Sequence, residues 1–128
     1  MKVLVLGGTG QLGANLVRSL LARDDQVRVL VRPSSTLLAL RGVDAERVHG
    51  DLNDAASLVR ACTGVRVVYH AASYYQPYTV PVETAVNQAL KETRNLLGAV
   101  KQAAVERLVF TSALTTIGFP REPDRLAD

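Results

Sequence analysis

Seven residues near the start of the chain, Gly7-Gly8-Thr9-Gly10-Gln11-Leu12-Gly13, have the spacing that lets a polypeptide hold a pyrophosphate. The first glycine permits a tight turn off a strand, the middle one lets backbone N–H groups approach the phosphates, and the last lets a helix pack closely on the strand. An anion placed there sits at a helix N-terminus, where unpaired N–H groups and the macrodipole favour negative charge. The flanking sequence is what this chemistry requires: Val3-Leu4-Val5-Leu6 reads as a buried strand, and a helical pattern follows the glycines. The competing reading is a Gly-rich turn that only joins a strand to a helix. A phosphate-hydrolysing P-loop fits poorly, because no Lys-Ser/Thr pair follows the glycines.

Arg32 is the second chemically informative residue. A fold that selects NAD places a carboxylate at the end of its second strand, about 20 residues past the glycines, to accept from the ribose hydroxyls. Here Val31 and Arg32 occupy that place, and Ser34 and Ser35 add hydroxyls beside the guanidinium. A planar, permanently charged fork suits a phosphate, so the expected ligand is NADP rather than NAD. The other reading of Arg32 is a solvated arginine at a strand end.

These residues need a scaffold, and the hydrophobic pattern supplies one. Strands are expected at about 2–6, 27–31, 46–49, 65–70 and 107–111. Between them lie helical patterns at about 11–23, a short one at 36–41 closed near Gly42, one capped by Asn53 or Asp54 and running to Cys62 before Gly64, and a long one at about 82–104. In the first helix Leu12, Leu16, Val17, Leu20 and Leu21 form the expected apolar stripe. Strands separated by helices pair in parallel through right-handed crossovers, which gives an α/β doubly wound sheet, a Rossmann arrangement of strand order 3-2-1-4-5. Ligands of such sheets bind outside the carboxyl ends of the strands. The glycine loop, Arg32, Asp51, the Ala71 region and Thr111 all converge on that edge.

Composition narrows the function classes. The hydrophobic fraction of 48% suits a sheet covered on both faces and excludes general disorder. The net charge of +3 is spread over single arginines, so neither a nucleic-acid patch nor a polybasic membrane surface is expected. Cys62 has no partner for a disulfide, which fits a reducing compartment, and no apolar run reaches the length of a membrane span. A cytoplasmic location is expected. His49 and His70 lack the spacing of metal ligands, and a histidine ending a buried strand is expected to be a satisfied core group.

Several motifs in order carry a family resemblance. The glycine run, the Gly50-Asp51-Leu52 turn, Tyr69-His70-Ala71-Ala72, Glu92-Thr93-Arg94-Asn95-Leu96-Leu97 and Arg107-Leu108-Val109-Phe110-Thr111-Ser112 together resemble the extended short-chain dehydrogenase/reductases, closest in flavour to dihydroflavonol-reductase-like and epimerase-like members. The resemblance implies that Thr9, Gly10, Gln11 and Leu12 line the pyrophosphate. It implies that Asp51 and Leu52 contact adenine, and that Ala71, Ala72 and Ser73 pass under the nicotinamide ribose. Asp51 also reads as a turn-forming or capping residue. Chemistry of this family uses a tyrosine, a lysine four residues later, and a serine or threonine. The chain contains no Tyr-x-x-x-Lys, and Ala113 falls where the serine is expected, with Ser112, Thr115 or Thr116 as substitutes. Ala89 replaces a customary asparagine and Glu92 a customary glycine.

The organisation expected is a dinucleotide-binding domain over 1–112, truncated after the fifth strand, and an irregular tail over 113–128. Its fifth strand would be an uncovered edge, open to self-association, and the loop bearing Tyr74, Tyr75 and Tyr78 would form a pocket wall. Two functions remain: the NADP-binding portion of an oxidoreductase or epimerase acting on a small carbonyl or hydroxyl substrate, or a non-catalytic NADP-binding or sensing module.

Overall fold

In the computed structural model, which describes residues 1–72 and 79–113, the elements follow one another as alternating strands and helices. The strands are β1 Lys2–Leu6, β2 Gln26–Val31, β3 Glu46–His49, β4 Val67–His70 and β5 Arg107–Phe110. The helices are α1 Gln11–Leu21, α2 Ala55–Cys62 and α3 Val82–Gln102, with a short 3-10 turn at Leu38–Leu40. All the strand pairs are parallel and the sheet order is β3-β2-β1-β4-β5. This is the doubly wound order expected of strands joined by helical crossovers.

Strand alternation builds two cores. Along β1, Val3 and Val5 face α1 with Val17, Leu20, Val29 and Leu40, while Leu4 and Leu6 face the opposite side with Leu58, Val68 and Leu96. Every one of these is at most 2% exposed. Each fully buried aliphatic side chain contributes about 1.5–3 kcal/mol relative to exposure, so the two faces together hold the central strand.

The element ends show where local chemistry overrides periodicity. Helix α1 stops at Leu21 rather than near residue 23, because Asp24 adopts a left-handed conformation (φ 59°). The N–H of Asp25 then donates to Leu20 O and that of Asp24 to Leu21 O. Of the expected stripe of α1, Val17 and Leu20 are buried and Leu16 and Leu21 pack against the same core, while Leu12 is 57% exposed and Gly13 and Ala14 are buried beside the stripe. Leu12 lies one step round the helix from the buried row of Gly13, Val17 and Leu20. Asp54, not Asn53, caps α2 by accepting from the N–H of Ser57 at 3.1 Å. The ladder of β4 begins at Val67, with Val65 turned into the core and Arg66 N–H donating to Lys2 O. Helix α3 ends at Gln102 through Ala104, at φ 51°, with Val105 N–H donating to Val100 O.

Arg28 is the least expected core residue. It projects from β2 on the α2 side, 8% exposed. Its Nη1 donates to Ala61 O at 2.7 Å and Thr63 O at 2.9 Å, and its Nη2 meets Glu46 at 3.0 Å. A cation at the end of α2 complements the helix dipole, and the hydrogen bond from Arg28 holds the Glu46 carboxyl below its ordinary pKa.

At the other side of the sheet β5 is thinly covered. Val109 is 41% and Phe110 48% exposed, and the Phe110 ring stacks on His70 at 4.5 Å. His70 is buried and its Nδ1 has no hydrogen-bond partner among the described residues, so it is not the satisfied core group expected. Burial pushes its pKa down from 6.5, against an upward pull from nearby backbone groups and the Glu92 charge.

Two stability predictions follow from these ends. Ala104→Gly relieves a left-handed alanine and raises unfolding stability by up to about 1 kcal/mol, measured by urea denaturation at constant slope, because the left-handed penalty of about 1–2 kcal/mol outweighs the added freedom of glycine when unfolded; a loss of stability would show the φ is not costly. For His70 the folded pKa lies below the unfolded one, so the unfolded chain binds the proton more readily and stability falls as pH drops below about 6.5, levelling at the folded pKa. Thermal midpoints of wild type and His70→Phe from pH 8 to 5 should differ in slope below that point; parallel curves would remove His70 from the account.

Candidate functional site

The carboxyl edge of the sheet carries a cleft of about 270 Å³, lined by Leu6, Gly7, Thr9, Gly10, Leu30, Arg32, Ser35, Asp51, Leu52, Ala71, Ala72 and Glu92. Four separate connections contribute to it, one after each of β1, β2, β3 and β4, together with the face of α3. That convergence is what a doubly wound sheet produces at the point where the strand order reverses.

The floor is the turn from β1 into α1. Gly7 leaves the strand at φ 82°, and a Cβ there would come within 2.5 Å of Ala72 N and 2.7 Å of Ala71 C. Only glycine lets the turn lie against the end of β4. Gly13 is constrained differently: a Cβ there would collide with Gly7 O and Gly7 C, so the first turn of α1 rests directly on the turn that precedes it. Gly10 N–H donates to Gly7 O at 3.0 Å and closes the loop. A Cβ on Gly10 would meet nothing nearer than Gly7 O at 3.4 Å, so this glycine is exposed and leaves the mouth of α1 open. No side chain caps the N-terminus of α1 and no acid lies in its first turn. The resulting unpaired N–H groups face an unobstructed approach, which is the geometry for an anion. A cradle of this kind fits a dinucleotide pyrophosphate.

Flanking the floor, Arg32 is exposed just past the end of β2. Its backbone N–H donates to Ser35 Oγ at 3.3 Å and Ser35 N–H donates back to Arg32 O at 2.9 Å. This turn brings the Ser35 hydroxyl into the cleft beside the guanidinium, which makes no hydrogen bond or ion pair among the described residues. The segment beyond is held by Arg18, donating to Ala39 O at 2.7 Å, and Arg47, donating to Leu40 O at 3.1 Å.

The opposite wall is the loop between β3 and α2. Asp51 Oδ1 accepts from the Asn53 N–H at 2.8 Å and from Asn53 Nδ2 at 3.1 Å, so the turn-forming reading of Asp51 is realised in the same residue that lines the cleft. Ser57 Oγ accepts from Asp51 N–H at 3.1 Å and fastens the loop to α2. From α3, Asn95 Nδ2 donates to Leu52 O at 2.9 Å and Gln88 Nε2 to Asn53 Oδ1 at 2.7 Å.

Of the residues singled out in the sequence, Gly7, Thr9, Gly10, Arg32, Asp51, Leu52, Ala71 and Ala72 share the cleft. Gln11 and Leu12 are exposed on the first turn of α1, and Gly13 is buried beneath it. Thr111 N–H donates to His70 O, extending the β4–β5 ladder without reaching the cleft lining. Ser112 and Ala113 follow, both exposed. Ser73, the tyrosines at 74, 75 and 78, Thr115 and Thr116 lie outside the described residues. Sequence reasoning missed Glu92 as a cleft residue, although its departure from a customary glycine was the available signal. Among the described residues no cluster of His, Cys, Asp and Glu could hold a metal, and no helix is long and apolar enough to cross a membrane. Burial pushes the Cys62 thiol up to about 11, which makes it a packing group rather than a nucleophile.

Comparison with known proteins agrees with this geometry. A family model described as NAD(P)H-binding matches residues 7–127. The sterol demethylase protein B of Methylococcus capsulatus is 40% identical over 118 residues, which are 92% of this chain and 36% of that protein. A nucleoside-diphosphate-sugar epimerase from Pseudomonas aeruginosa superposes with a TM-score of 0.79 at 28% identity, covering 98% of this chain and 37% of the other. UDP-glucose 4-epimerase from Bifidobacterium longum, solved with NAD+ and UDP, superposes with a TM-score of 0.78 at 27% identity, covering 96% of this chain and 40% of the other. The chain thus spans little more than a third of the relatives it matches. With the fingerprint, the strand order and the matched family in agreement, the chain belongs to the NAD(P)H-binding family, of the short-chain dehydrogenase/reductase and epimerase type.

Proposed function

We propose that this chain is the NADP-binding portion of an oxidoreductase or epimerase that acts on a small carbonyl or hydroxyl compound. The observation that carries the choice of NADP is the placement of Arg32 and Ser35 in one cleft with Gly7, Thr9 and Gly10. The pyrophosphate rests on the N-terminus of α1, and the guanidinium, unpaired among the described residues, takes the additional phosphate on the adenosine ribose. Asp51 and Leu52 border the adenine, and Ala71 and Ala72 run beneath the nicotinamide ribose. When bound, the nicotinamide supplies hydride transfer.

The remainder of the active site is assigned to the rest of the protein. Ser112 and Thr115 are the hydroxyl candidates within this chain, and a tyrosine-lysine pair would follow Asp128. We place the protein in the cytoplasm, because its buried Cys62 suits a reducing compartment. The exposed Val109 and Phe110 of β5, and Val86 and Leu90 on α3, are apolar side chains that a further part of the protein or a second copy covers.

The second reading, a non-catalytic NADP-binding or sensing module, is favoured by Ala113 at the expected serine position. The two separate on turnover by the natural full-length protein with a panel of carbonyl and hydroxyl substrates: a reductase oxidises NADPH, an epimerase forms product with no net change in the cofactor, and a sensor binds NADPH without forming product.

Titration of NADPH and NADH against wild type and Arg32→Ala tests the cofactor. The substitution should cost about 1–3 kcal/mol for NADPH, the worth of a charge-assisted hydrogen bond, and leave NADH affinity nearly unchanged. Equal affinities for the two dinucleotides in wild type would sink the assignment.

A further inference from the structure

Glu92 is a carboxylate on the face of α3 that enters the cleft opposite the glycine loop. Its Oε1 accepts from Gln88 Nε2 at 2.7 Å and from Asn53 Nδ2 at 3.2 Å. The same Asn53 Nδ2 donates to Asp51 Oδ1 at 3.1 Å. Two carboxylates are therefore held one amide nitrogen apart, each engaged through a single oxygen. Within the described residues the second oxygen of each, Oε2 of Glu92 and Oδ2 of Asp51, accepts no hydrogen bond from the protein.

The surroundings say what such an edge can read. The cleft walls beside the two acids are Leu6, Leu30, Leu52 and Ala72, all apolar. A slot with apolar walls takes a flat ring, and an edge that can only accept hydrogen bonds takes a ring edge that donates them. Phosphate is directed elsewhere, since two carboxylates repel it here while the open mouth of α1 and Arg32 attract it.

We propose that Glu92 is a specificity-determining residue of this cleft, which together with Asp51 selects an amino-bearing heteroaromatic base by accepting from its exocyclic amine. The inference rests on the reading that the cleft binds a dinucleotide. An exocyclic amine carries two N–H donors, and the pair supplies two unused acceptors. A base with a carbonyl at that position would set oxygen against oxygen, leaving partial negative charge facing carboxylate.

The polar staple gives Glu92 its orientation. Gln88 and Asn53 hold Oε1 from two sides, and Asn95 holds the backbone of Leu52, so the loop and the helix present their acids as one unit. Glu92→Gln keeps the size of the side chain and converts one acceptor into a donor. Gln88→Ala removes part of the staple and leaves the carboxylate.

The test is a binding titration of the natural full-length protein with NADPH and with its hypoxanthine counterpart, in which a 6-oxo group replaces the 6-amino group. Wild type should prefer NADPH, and Glu92→Gln should reduce that preference by about tenfold or more, the effect of losing one hydrogen bond to a charged group. Gln88→Ala should weaken both ligands together and keep the preference. A Glu92→Gln protein that loses affinity for both ligands equally would make Glu92 a structural staple only and overturn the proposal, as would a wild type indifferent to the base. Binding of both dinucleotides with an unchanged preference rejects this inference alone. Binding of neither by a folded wild type rejects the cofactor reading as well.

Discussion

The contact that the rest of this structure depends on is the one between the backbone of α1 and the backbone of the turn before it. Gly13 sits so close to Gly7 that no side chain fits between them, and Gly7 in turn lies against Ala71 and Ala72 at the end of β4. Three segments therefore meet backbone to backbone at the crossing point of the sheet. This packing fixes the start of α1 relative to β1 and β4, and the orientation of the helix N-terminus follows from it. An anion site made of N–H groups works only if those groups are aimed before the ligand arrives, because reorienting a helix would consume the binding energy. The apolar cores beneath both faces hold the strands, but they would accept many similar side chains. The glycine contact would not.

Charge is distributed around that contact in a way that sorts a ligand end to end. The helix mouth and Arg32 bring attraction for phosphate to the cleft, while Asp51 and Glu92 bring carboxylates that repel it. The apolar lining residues have no preference for charge and a strong one for a flat ring. Orientation thus comes from few side chains of opposed charge set among apolar ones.

The fold was legible because its signals are long-range in sequence and redundant. Five strand patterns separated by helical ones admit few topologies, and the glycine run marked the crossing point directly. The convergence of Gly7, Gly10 and Arg32 on one cleft was legible for the same reason, since each sits at a strand end that the pattern locates. Leu12 was misjudged because helical periodicity counts apolar residues without showing that this one lies a step round the helix from the buried row. Arg28 is, in the sequence, one of the single arginines over which the charge is spread. Its burial depends on Ala61, Thr63 and Glu46 converging from α2 and β3, which no local pattern reveals. Glu92 was noticed as a departure, but its place in the cleft required knowing how α3 crosses the loop after β3. The half-buried loop residue Asp51 has two readings, and the structure shows the turn-forming one, in which one carboxylate oxygen accepts both Asn53 donors.

Arg28 gives β3 a character its sequence does not suggest. A four-residue strand at the rim of a sheet, with mostly exposed side chains, would ordinarily fray from its neighbour with little penalty. Peeling Glu46 away would strand a buried guanidinium that also closes the end of α2, and an uncompensated buried charge costs several kcal/mol. The ion pair therefore ties β3 to β2, and the two carbonyl contacts of Arg28 tie β2 to the end of α2. Since the loop bearing Asp51 and Leu52 is suspended between β3 and α2, the wall of the cleft takes its rigidity from an ion pair at the opposite end of the sheet.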